Sequence, residues 1–356
     1  MNARPFRVLT IDGGGVRGLY TATVLRNLAR WFAKRRGCGP LDVGAGFDLI
    51  AGTSTGGILA CGLAAGVDVA NIVDLYRVEG PKLFADPIPS GRFALGMWMA
   101  RHLSTPANEA AVLRAALERI FGETTLATVW EARHVALCIP TVNARTHQPR
   151  VFKTPHDRSR QRDDDWRLVD TCLATSAAPI VLPLAVCADP EDRSIEHAFA
   201  DGGLWANNPV LVGLVEALRV VERGRPIRVL SVGTCCPPVG RVVDRGRWGL
   251  AQWQVGITAL EMSLDAQSAG HNHMAQFIAR CLPDCAVTRL PDAPVSAQHS
   301  SVIGLDRASE TALSALADLG DRAANDVMGE VTRATPLGQE VAEFFDALPE
   351  RKKDGS

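Results

Sequence analysis

The sequence predicts an α/β protein in which helices cover a central, mostly parallel β-sheet. Two consecutive units of strand, turn and helix support this prediction. In the first unit, the strand-like run at residues 6–11 ends in a glycine-rich turn, and apolar residues recur at helical spacing from Leu19 onward. In the second, the strand-like run at 47–52 passes through a sharp turn into the apolar stretch 58–65. Repeated alternation of this kind favours a parallel sheet with helices on both faces.

The remaining elements continue this pattern, with one interruption. Residues 81–106 combine several prolines with the apolar run FALGMWM, and we expect a mobile, lid-like excursion there. The other predicted elements, in chain order, are helices at 68–79 and 107–121, strands at 132–142 and 150–154, a polar loop at 156–165, a helix at 167–179, a helix after Asn207, a strand at 227–234 and mainly helix from about 248.

Composition and charge exclude several classes of function. The 38 basic and 39 acidic residues give a net charge of −1, so no global field attracts a DNA or RNA duplex. Nine cysteines, an odd number spread along the chain, are typical of reduced thiols in the cytosol. The strand-like run near residue 6 leaves no room for a signal peptide, and no apolar run approaches the roughly 18 residues of a membrane span. We therefore expect a soluble, cytoplasmic protein.

The segment GTSTG at residues 52–56 has the pattern G-x-S-x-G of a nucleophile elbow. Gly52 and Gly56 flank a turn that is too sharp for side chains to pass beside the serine. Ser54 would then stand at a helix N-terminus, where the helix dipole favours developing negative charge. The five-residue pattern alone also fits a structural glycine turn. Its place between a predicted strand and a predicted helix favours a nucleophile.

The segment GGGVRG at residues 13–18 lies between the first strand and the first helix. Gly13, Gly14 and Gly15 carry no side chains, so their N–H groups can approach a substrate at the point where an oxyanion forms. The same residues satisfy G-x-G-x-x-G, the pattern of a dinucleotide-binding loop. That function needs an acidic residue about 20 positions further on, where this chain is basic and turn-like. No P-loop pattern occurs.

A third motif, Asp201-Gly202-Gly203, ends a short apolar run. Taken alone, it would be an Asp-Gly turn. In combination with the other two motifs, it supplies a carboxylate that could accept the serine proton directly and replace the histidine of a catalytic triad.

In their order and in their residues, these three motifs and the segment LATSAAPIVLP resemble the motifs of the patatin-like phospholipases. The resemblance spans about residues 6–235. The resemblance implies a three-layer α/β/α hydrolase that cleaves acyl esters of membrane phospholipids and needs neither metal nor cofactor. It makes Ser54 the nucleophile and Asp201 the base. The oxyanion hole falls on Gly13, Gly14 and Gly15, and the supporting motif positions are Arg17, Gly18, Gly52, Gly56, Gly202 and Gly203.

The resemblance also divides the chain into a catalytic domain at 1–240, which includes the lid-like excursion, and a mainly helical extension at 241–356 packed on the same domain. This extension is similar to that of the cyclic-nucleotide-activated phospholipase effectors of bacterial anti-phage (CBASS) systems. That similarity implies a cyclic di- or trinucleotide activator, transient action at the inner membrane surface and antiviral defence, and it leaves a homo-oligomer open. The nearest candidates for phosphate contacts are Arg241, Arg245 and Arg247.

Several alternatives remain open at this point. A Ser-His-Asp triad could use His271, His273 or His299. A zinc site could be imagined on the two former histidines with Cys281 and Cys285, although packed or solvated side chains are the simpler interpretation. Asp12 and Arg17 could pair to shape the glycine turn, or Arg17 could contact a lipid head group. Finally, the chain could be a catalytically idle lipid-binding or sensor protein of the same fold.

Overall fold

The computed structural model describes residues 4–89, 91–157, 159, 162–235, 248–249, 253 and 256–352. Across these residues eight strands form one sheet. The strands are β1 (Phe6–Ile11), β2 (Leu49–Gly52), β3 (Ala136–Asn143), β4 (Gln148–Lys153), β5 (Ala185–Ala188), β6 (Glu196–Asp201), β7 (Ile227–Val232) and β8 (Cys285–Arg289).

Helices flank the sheet on both sides. They are α1 (Gly18–Arg36), α2 (Thr55–Ala64), α3 (Val69–Leu83), α4 (Arg92–Arg101), α5 (Ala111–Phe121), α6 (Leu126–Arg133), α7 (Leu168–Thr175), α8 (Gly203–Ala206), α9 (Val210–Val220), α10 (Ile257–Cys281), α11 (Ala297–Val302), α12 (Glu310–Thr332) and α13 (Pro336–Phe345). None of the helices in the described ranges is long and apolar enough to cross a membrane.

The strand order is β5-β6-β3-β2-β1-β7-β8, with β4 also paired to β3. Strands β3, β2, β1, β7 and β8 run parallel, whereas β4, β5 and β6 are antiparallel to their neighbours. In this register Ile11 lies beside both Gly52 and Val232. The carboxyl ends of β1, β2 and β7 therefore meet at one edge of the sheet, where ligands bind in open α/β folds.

Alternating side chains of β1 point into two separate hydrophobic cores. Leu9 and Ile11 pack into the larger core, which includes residues of α1, α2 and α12. Phe6 and Val8 face the smaller core, to which α9 and α10 contribute. Burial on both faces explains why apolar residues lie on both sides of β1, at Phe6 and Val8 as well as at Leu9 and Ile11. The predicted α/β fold, with helices on both sides of a mostly parallel sheet, is confirmed.

The residues after 240 join this same body. Helix α12 passes so close to α1 that a Cβ at Gly320 would lie 3.0 Å from the carbonyl oxygen of Tyr20. The ring of Phe345 stacks on Phe32 of α1 at 5.1 Å. Strand β8, which we did not expect in a mainly helical extension, adds a parallel edge strand beside β7. Arg241, Arg245 and Arg247 lie outside the described residues.

Several boundaries differ from the sequence-based expectation. Helix α3 continues to Leu83, so the excursion is shorter than predicted, and its centre is the helix α4. The strand expected from residue 132 begins only at Ala136, because α6 extends to Arg133. His134, which follows the helix, adopts a left-handed conformation with φ 53°. Strand β5 was not predicted, because it has only four residues and its buried and exposed positions show no clear period of two.

Candidate active site

Ser54 stands on a strained turn between β2 and α2. Its backbone has φ 54° and ψ −127°, a region that costs a non-glycine residue roughly 1–3 kcal/mol. The flanking glycines permit the turn. A Cβ at Gly52 would lie 2.2 Å from the carbonyl oxygen of Gly56, and one at Gly56 would lie 2.4 Å from that of Asp12. The turn thus packs directly against the end of β1.

The hydroxyl of Ser54 donates a hydrogen bond to Asp201. The distance from Oγ to Oδ2 is 2.7 Å, and both residues are buried, with exposures of 8% and 7%. The other carboxylate oxygen, Oδ1, accepts the backbone N–H of Gly203 at 2.6 Å. The structure therefore brings together two residues that are 147 positions apart in the chain.

Thr175, at the end of α7, links the serine turn to the aspartate strand. Its hydroxyl accepts the N–H of Ser54 at 3.0 Å and donates to the carbonyl of Pro140 at 2.6 Å. Its own carbonyl accepts the N–H of Gly202 at 3.1 Å. Thr175 lies in the LATSAAPIVLP segment of the resemblance, but nothing in that segment predicted this role.

Burial sets the acidity of Asp201. Removing the carboxylate from water raises its pKa to about 6, and the hydrogen bonds from Ser54 and Gly203 oppose that shift only in part. No cation forms an ion pair with this carboxylate among the residues that the structure describes. Near neutral pH Asp201 is ionised, and it is a stronger base than an ordinary aspartate.

The glycine loop lies directly beside the serine, and a Cβ at Gly13 would lie 3.3 Å from Cβ of Ser54. The N–H of Gly13 is already occupied, because it donates to the carbonyl of Asn207 at 2.8 Å. For Gly14 and Gly15, no acceptor within the described ranges receives the backbone N–H. Gly15 has φ 57°, and the carbonyl of Leu305 leaves no room for a side chain there. Two of the three predicted donors are thus available for a ligand.

Asp12, which precedes the loop, pairs with Arg289 and not with Arg17. Two nitrogens of Arg289 on β8 meet the two carboxylate oxygens at 2.9 and 2.6 Å. Arg17 is 7% exposed, and its Nε donates to the carbonyl of Gly14 at 3.3 Å. The structural pairing considered for Asp12 and Arg17 is therefore wrong, because β8 supplies a closer guanidinium.

Helix α10 supports the loop that follows Asp201. The side-chain oxygen of Gln267 accepts the N–H of Asn207 at 2.6 Å, and the hydroxyl of Ser268 lies 3.1 Å from the Asn207 amide nitrogen. Asn207 in turn accepts the N–H of Gly13. A chain of contacts therefore runs from α10 to the glycine loop. No sequence motif indicates this chain of contacts, since the partners are about 60 residues apart.

The histidine alternative finds no support in the geometry. His271 bonds to the backbone carbonyl of Asn208, and His299 contacts Ser296 within α11. In the described part of the chain, no histidine lies within hydrogen-bond distance of Ser54 or Asp201.

One cluster outside this site has ligand atoms suited to a metal. Cys138, His156 and Glu216 place theirs within 4.8 Å of one another. Burial would raise the pKa of Glu216, but hydrogen bonds from His156 and Lys153 lower it to about 2. Because Lys153 and Arg219 already bond to this carboxylate, we interpret the cluster as a structural ion-pair network. No comparable cluster among the described residues contains the histidines and cysteines considered for zinc.

The fold and this site together define a class of protein, the α/β acyl hydrolases, in which a serine on a sharp strand-to-helix turn faces a proton acceptor and free backbone N–H groups. The model of one family, described as patatin-like phospholipase, matches residues 9–214, more than half of the chain. The chain therefore belongs to the patatin-like phospholipase family, and it is a lipid acyl hydrolase. The resemblance inferred from the motifs is confirmed.

Three bacterial proteins, each named cGAMP-activated phospholipase, are similar to this chain over most of their length. The Pseudomonas aeruginosa protein is 35% identical, over 91% of this chain and 90% of its own. The Vibrio cholerae protein is 32% identical, over 97% and 96%. The Escherichia coli protein is 32% identical, over 90% and 88%. The similarity extends well beyond residue 214 and therefore includes the extension.

Asp201→Asn is expected to stabilise the folded protein above pH 6. Because the folded-state pKa of about 6 exceeds the ordinary 3.8, the wild type has its full stability only below about pH 4 and loses it as the pH rises through 6. Two pKa units correspond to roughly 3 kcal/mol. The uncharged amide avoids this loss. Denaturant unfolding at pH 4 and pH 8 measures the free energy of unfolding of both proteins. The variant should be more stable than wild type at pH 8, and the difference should shrink at pH 4.

Asp189→Asn is the matched control, since a hydrogen bond from His197 lowers the pKa of Asp189. Removing the Asp189 carboxylate should reduce the stability of the folded protein at pH 8. An Asp201→Asn variant that is less stable than wild type at pH 8 would contradict the electrostatic account of the site.

Proposed function

We propose that Ser54 and Asp201 form a catalytic dyad that hydrolyses acyl esters of phospholipids. The observation that carries this proposal is the 2.7 Å hydrogen bond between Ser54 Oγ and Asp201 Oδ2. As Oγ bonds to the ester carbonyl carbon, its proton passes to Oδ2. The tetrahedral intermediate then expels the lysophospholipid alkoxide, which takes that proton from Asp201 and leaves the acyl group on the serine.

The second half-reaction uses the same groups. Water attacks the acyl carbonyl and gives a proton to Asp201, and collapse of the second tetrahedral intermediate returns that proton to Ser54 Oγ as the fatty acid leaves. In both steps the N–H groups of Gly14 and Gly15 donate to the oxyanion. Gly13 contributes by positioning the loop, since its N–H is held by Asn207.

Ser54→Ala should abolish ester hydrolysis, with a loss on the order of 10⁴-fold or more in kcat, because the nucleophile is removed. Asp201→Asn should be nearly as damaging, since the amide cannot accept the proton. In the wild type, kcat/KM should rise with pH and reach half of its plateau near the pKa of Asp201, about 6. Release of fatty acid from phospholipid vesicles measures all three effects.

His271→Ala, His273→Ala and His299→Ala are the controls for the triad alternative, and each should retain activity within about tenfold of wild type. Ser54→Ala activity close to that of wild type would remove Ser54 from the mechanism. A wild-type protein that binds lipid but never hydrolyses it would establish the idle binding or sensor protein instead.

We assign the contact with the bilayer, on the inner membrane surface, to helix α4 and the residues beside it. Phe93, Met97 and Leu103 are 83%, 59% and 89% exposed, although all three are large and apolar. The opposite face of α4 is anchored, because Leu95 and Trp98 pack on Ile257 at the start of α10. A helix with one face held by the protein and exposed apolar side chains on the other face suits the lipid interface.

Two contacts connect this lid-like segment to the proposed site. The N–H of Ile88 donates to the carboxylate of Asp306 at 2.7 Å, and the neighbouring Leu305 accepts the N–H of Val16 beside the glycine loop at 2.8 Å. The second contact is the packing of α4 on Ile257, since α10 also holds Asn207. Through these two contacts, a movement of α4 at a membrane would also displace the residues around the dyad, which is buried in this structure.

Replacing Phe93 and Met97 together by Gln should reduce hydrolysis of vesicle phospholipid about tenfold or more, because each apolar side chain contributes roughly 1.5–3 kcal/mol when it leaves water. Hydrolysis of a water-soluble short-chain ester should change less than about twofold. Comparing the two rates separates membrane contact from catalysis. Val215→Gln, at a 57% exposed position on α9, is the matched control. Equal losses on both substrates would contradict the membrane role.

Regulation by a cyclic dinucleotide, in defence against phage, is the second part of the proposal. The three bacterial relatives carry cGAMP activation in their names and align with nearly the whole chain. The burial of Ser54 and Asp201 also favours a resting state that a ligand must open. A hundredfold activation requires about 2.7 kcal/mol of tighter binding to the active form.

The purified protein should hydrolyse phospholipid slowly on its own and at least about tenfold faster with saturating cGAMP. A linear dinucleotide of the same bases is the control and should leave the rate unchanged. Sedimentation with and without cGAMP shows whether activation involves assembly into a homo-oligomer. Full activity without cGAMP, together with no heat of binding in calorimetry, would contradict activation and place the protein among the unregulated members of the family.

A further inference from the structure

A cavity of about 380 Å³ opens at the edge of the sheet opposite the proposed active site. Arg4, Pro5 and Arg7 line it at the start of β1, and Pro226 and Arg228 line it at the start of β7. Glu343 and Phe344 of α13 complete the wall. Its volume lies within the range of roughly 300–1,000 Å³ that is typical of small-molecule sites.

Positive charge is in excess around this cavity. Arg4 pairs with Asp48 at 2.9 Å, and Arg225, next to the cavity, also contacts Asp48 at 3.4 Å. Arg228 lies 4.0 Å from Glu343. The lining of the cavity itself holds three guanidinium groups, those of Arg4, Arg7 and Arg228, and one carboxylate, that of Glu343. Such an imbalance inside a concave site favours an anion.

Arg7 has no partner of its own. Within the described chain, no carboxylate lies at ion-pair distance from its guanidinium and no acceptor bonds to it. Partial burial and the neighbouring Arg4 lower the pKa of Arg7, although Asp48 and Glu343 act in the opposite direction. A half-buried cation with unused donors in a fixed fork is well suited to bind a phosphate.

We infer that this cavity binds the phosphodiester groups of a cyclic dinucleotide, and thus that it is the activator site of the proposed function, on which the inference rests. Such a ligand carries two negative charges, which match the excess of two guanidinium groups. Its flat bases can stack on arginine planes, and the proline rings and Phe344 provide apolar wall.

The position of the cavity offers a route to the active site. Asp48, which binds Arg4 and accepts the N–H of Arg7 at 2.8 Å, immediately precedes β2. Strands β1, β2 and β7 therefore all begin at this cluster. About 20 Å away, at their far ends, they lead into the glycine loop, Ser54 and Thr234. A ligand that shifts these strands acts on several parts of the site at once.

A second cavity suits an anion less well. It measures about 210 Å³, and Arg150 and Arg162 share its lining with the carboxylates of Asp165, Asp189 and Glu191. Since its arginines are outnumbered by acids, it provides the matched control.

The test compares cGAMP binding to the full chain and three variants by calorimetry, and cGAMP-stimulated phospholipid hydrolysis as a ratio to the unstimulated rate. Arg7→Gln should weaken binding about tenfold or more, the loss expected for one charge-assisted hydrogen bond. Glu343→Gln, which removes a negative charge from a side chain that is 65% exposed, should tighten binding. Arg162→Gln should bind as wild type does. Thermal melting verifies that every variant is folded.

Opposite changes in the Arg7 and Glu343 variants support the site, since damage to the fold would weaken both. Affinities equal to wild type in these two variants, weakening in both, or weakening by Arg162→Gln alone would overturn it while leaving cGAMP activation intact. If wild type itself binds no cGAMP, the activation proposal fails, and this site fails with it.

Discussion

Close approach of backbone to backbone is the constraint on which this site depends. At Gly56, Gly202 and Gly15 a single added carbon would lie 1.9 to 2.4 Å from a carbonyl oxygen of another segment. These contacts bring the serine turn onto β1, the Asp201 turn onto β3 and the glycine loop onto the segment between α11 and α12. Because main-chain atoms set the distances, the groups of the proposed dyad and oxyanion hole are held in place before any substrate arrives.

The local part of this arrangement could be predicted from the sequence. Ser54 and its glycines lie within one strand-turn-helix unit, whose signals are only a few residues apart, and the same holds for the loop at Gly13. Partners such as Arg289 for Asp12, or Gln267 for Asn207, could not be predicted, since nothing near either residue specifies a contact 60 or more positions away. Strand β8 was missed for the same reason.

Burial gives Asp201 its chemical character and also has a cost. An aspartate in water is too weak a base to attract a serine proton effectively at neutral pH, whereas one with a pKa of about 6 is better matched to that task. The fold provides this shift by desolvation, and no second carboxylate among the described residues contributes to it. Two hydrogen bonds, from Ser54 and Gly203, favour the ionised carboxylate. Its burial nevertheless makes the folded protein less stable at neutral pH.

The pairing of β1 with β7, and of Asp12 with Arg289, has a consequence for the timing of synthesis. The ribosome produces Ser54 early, but the segment that clamps Asp12 is 277 residues behind it in the chain. Because Arg289 follows Ser54 by 235 residues, a nascent chain made at about 5–20 residues per second spends roughly 12 to 47 seconds with the serine made and its surroundings incomplete. A growing polypeptide therefore lacks the Asp12–Arg289 pair beside the serine turn until most of the chain has been made.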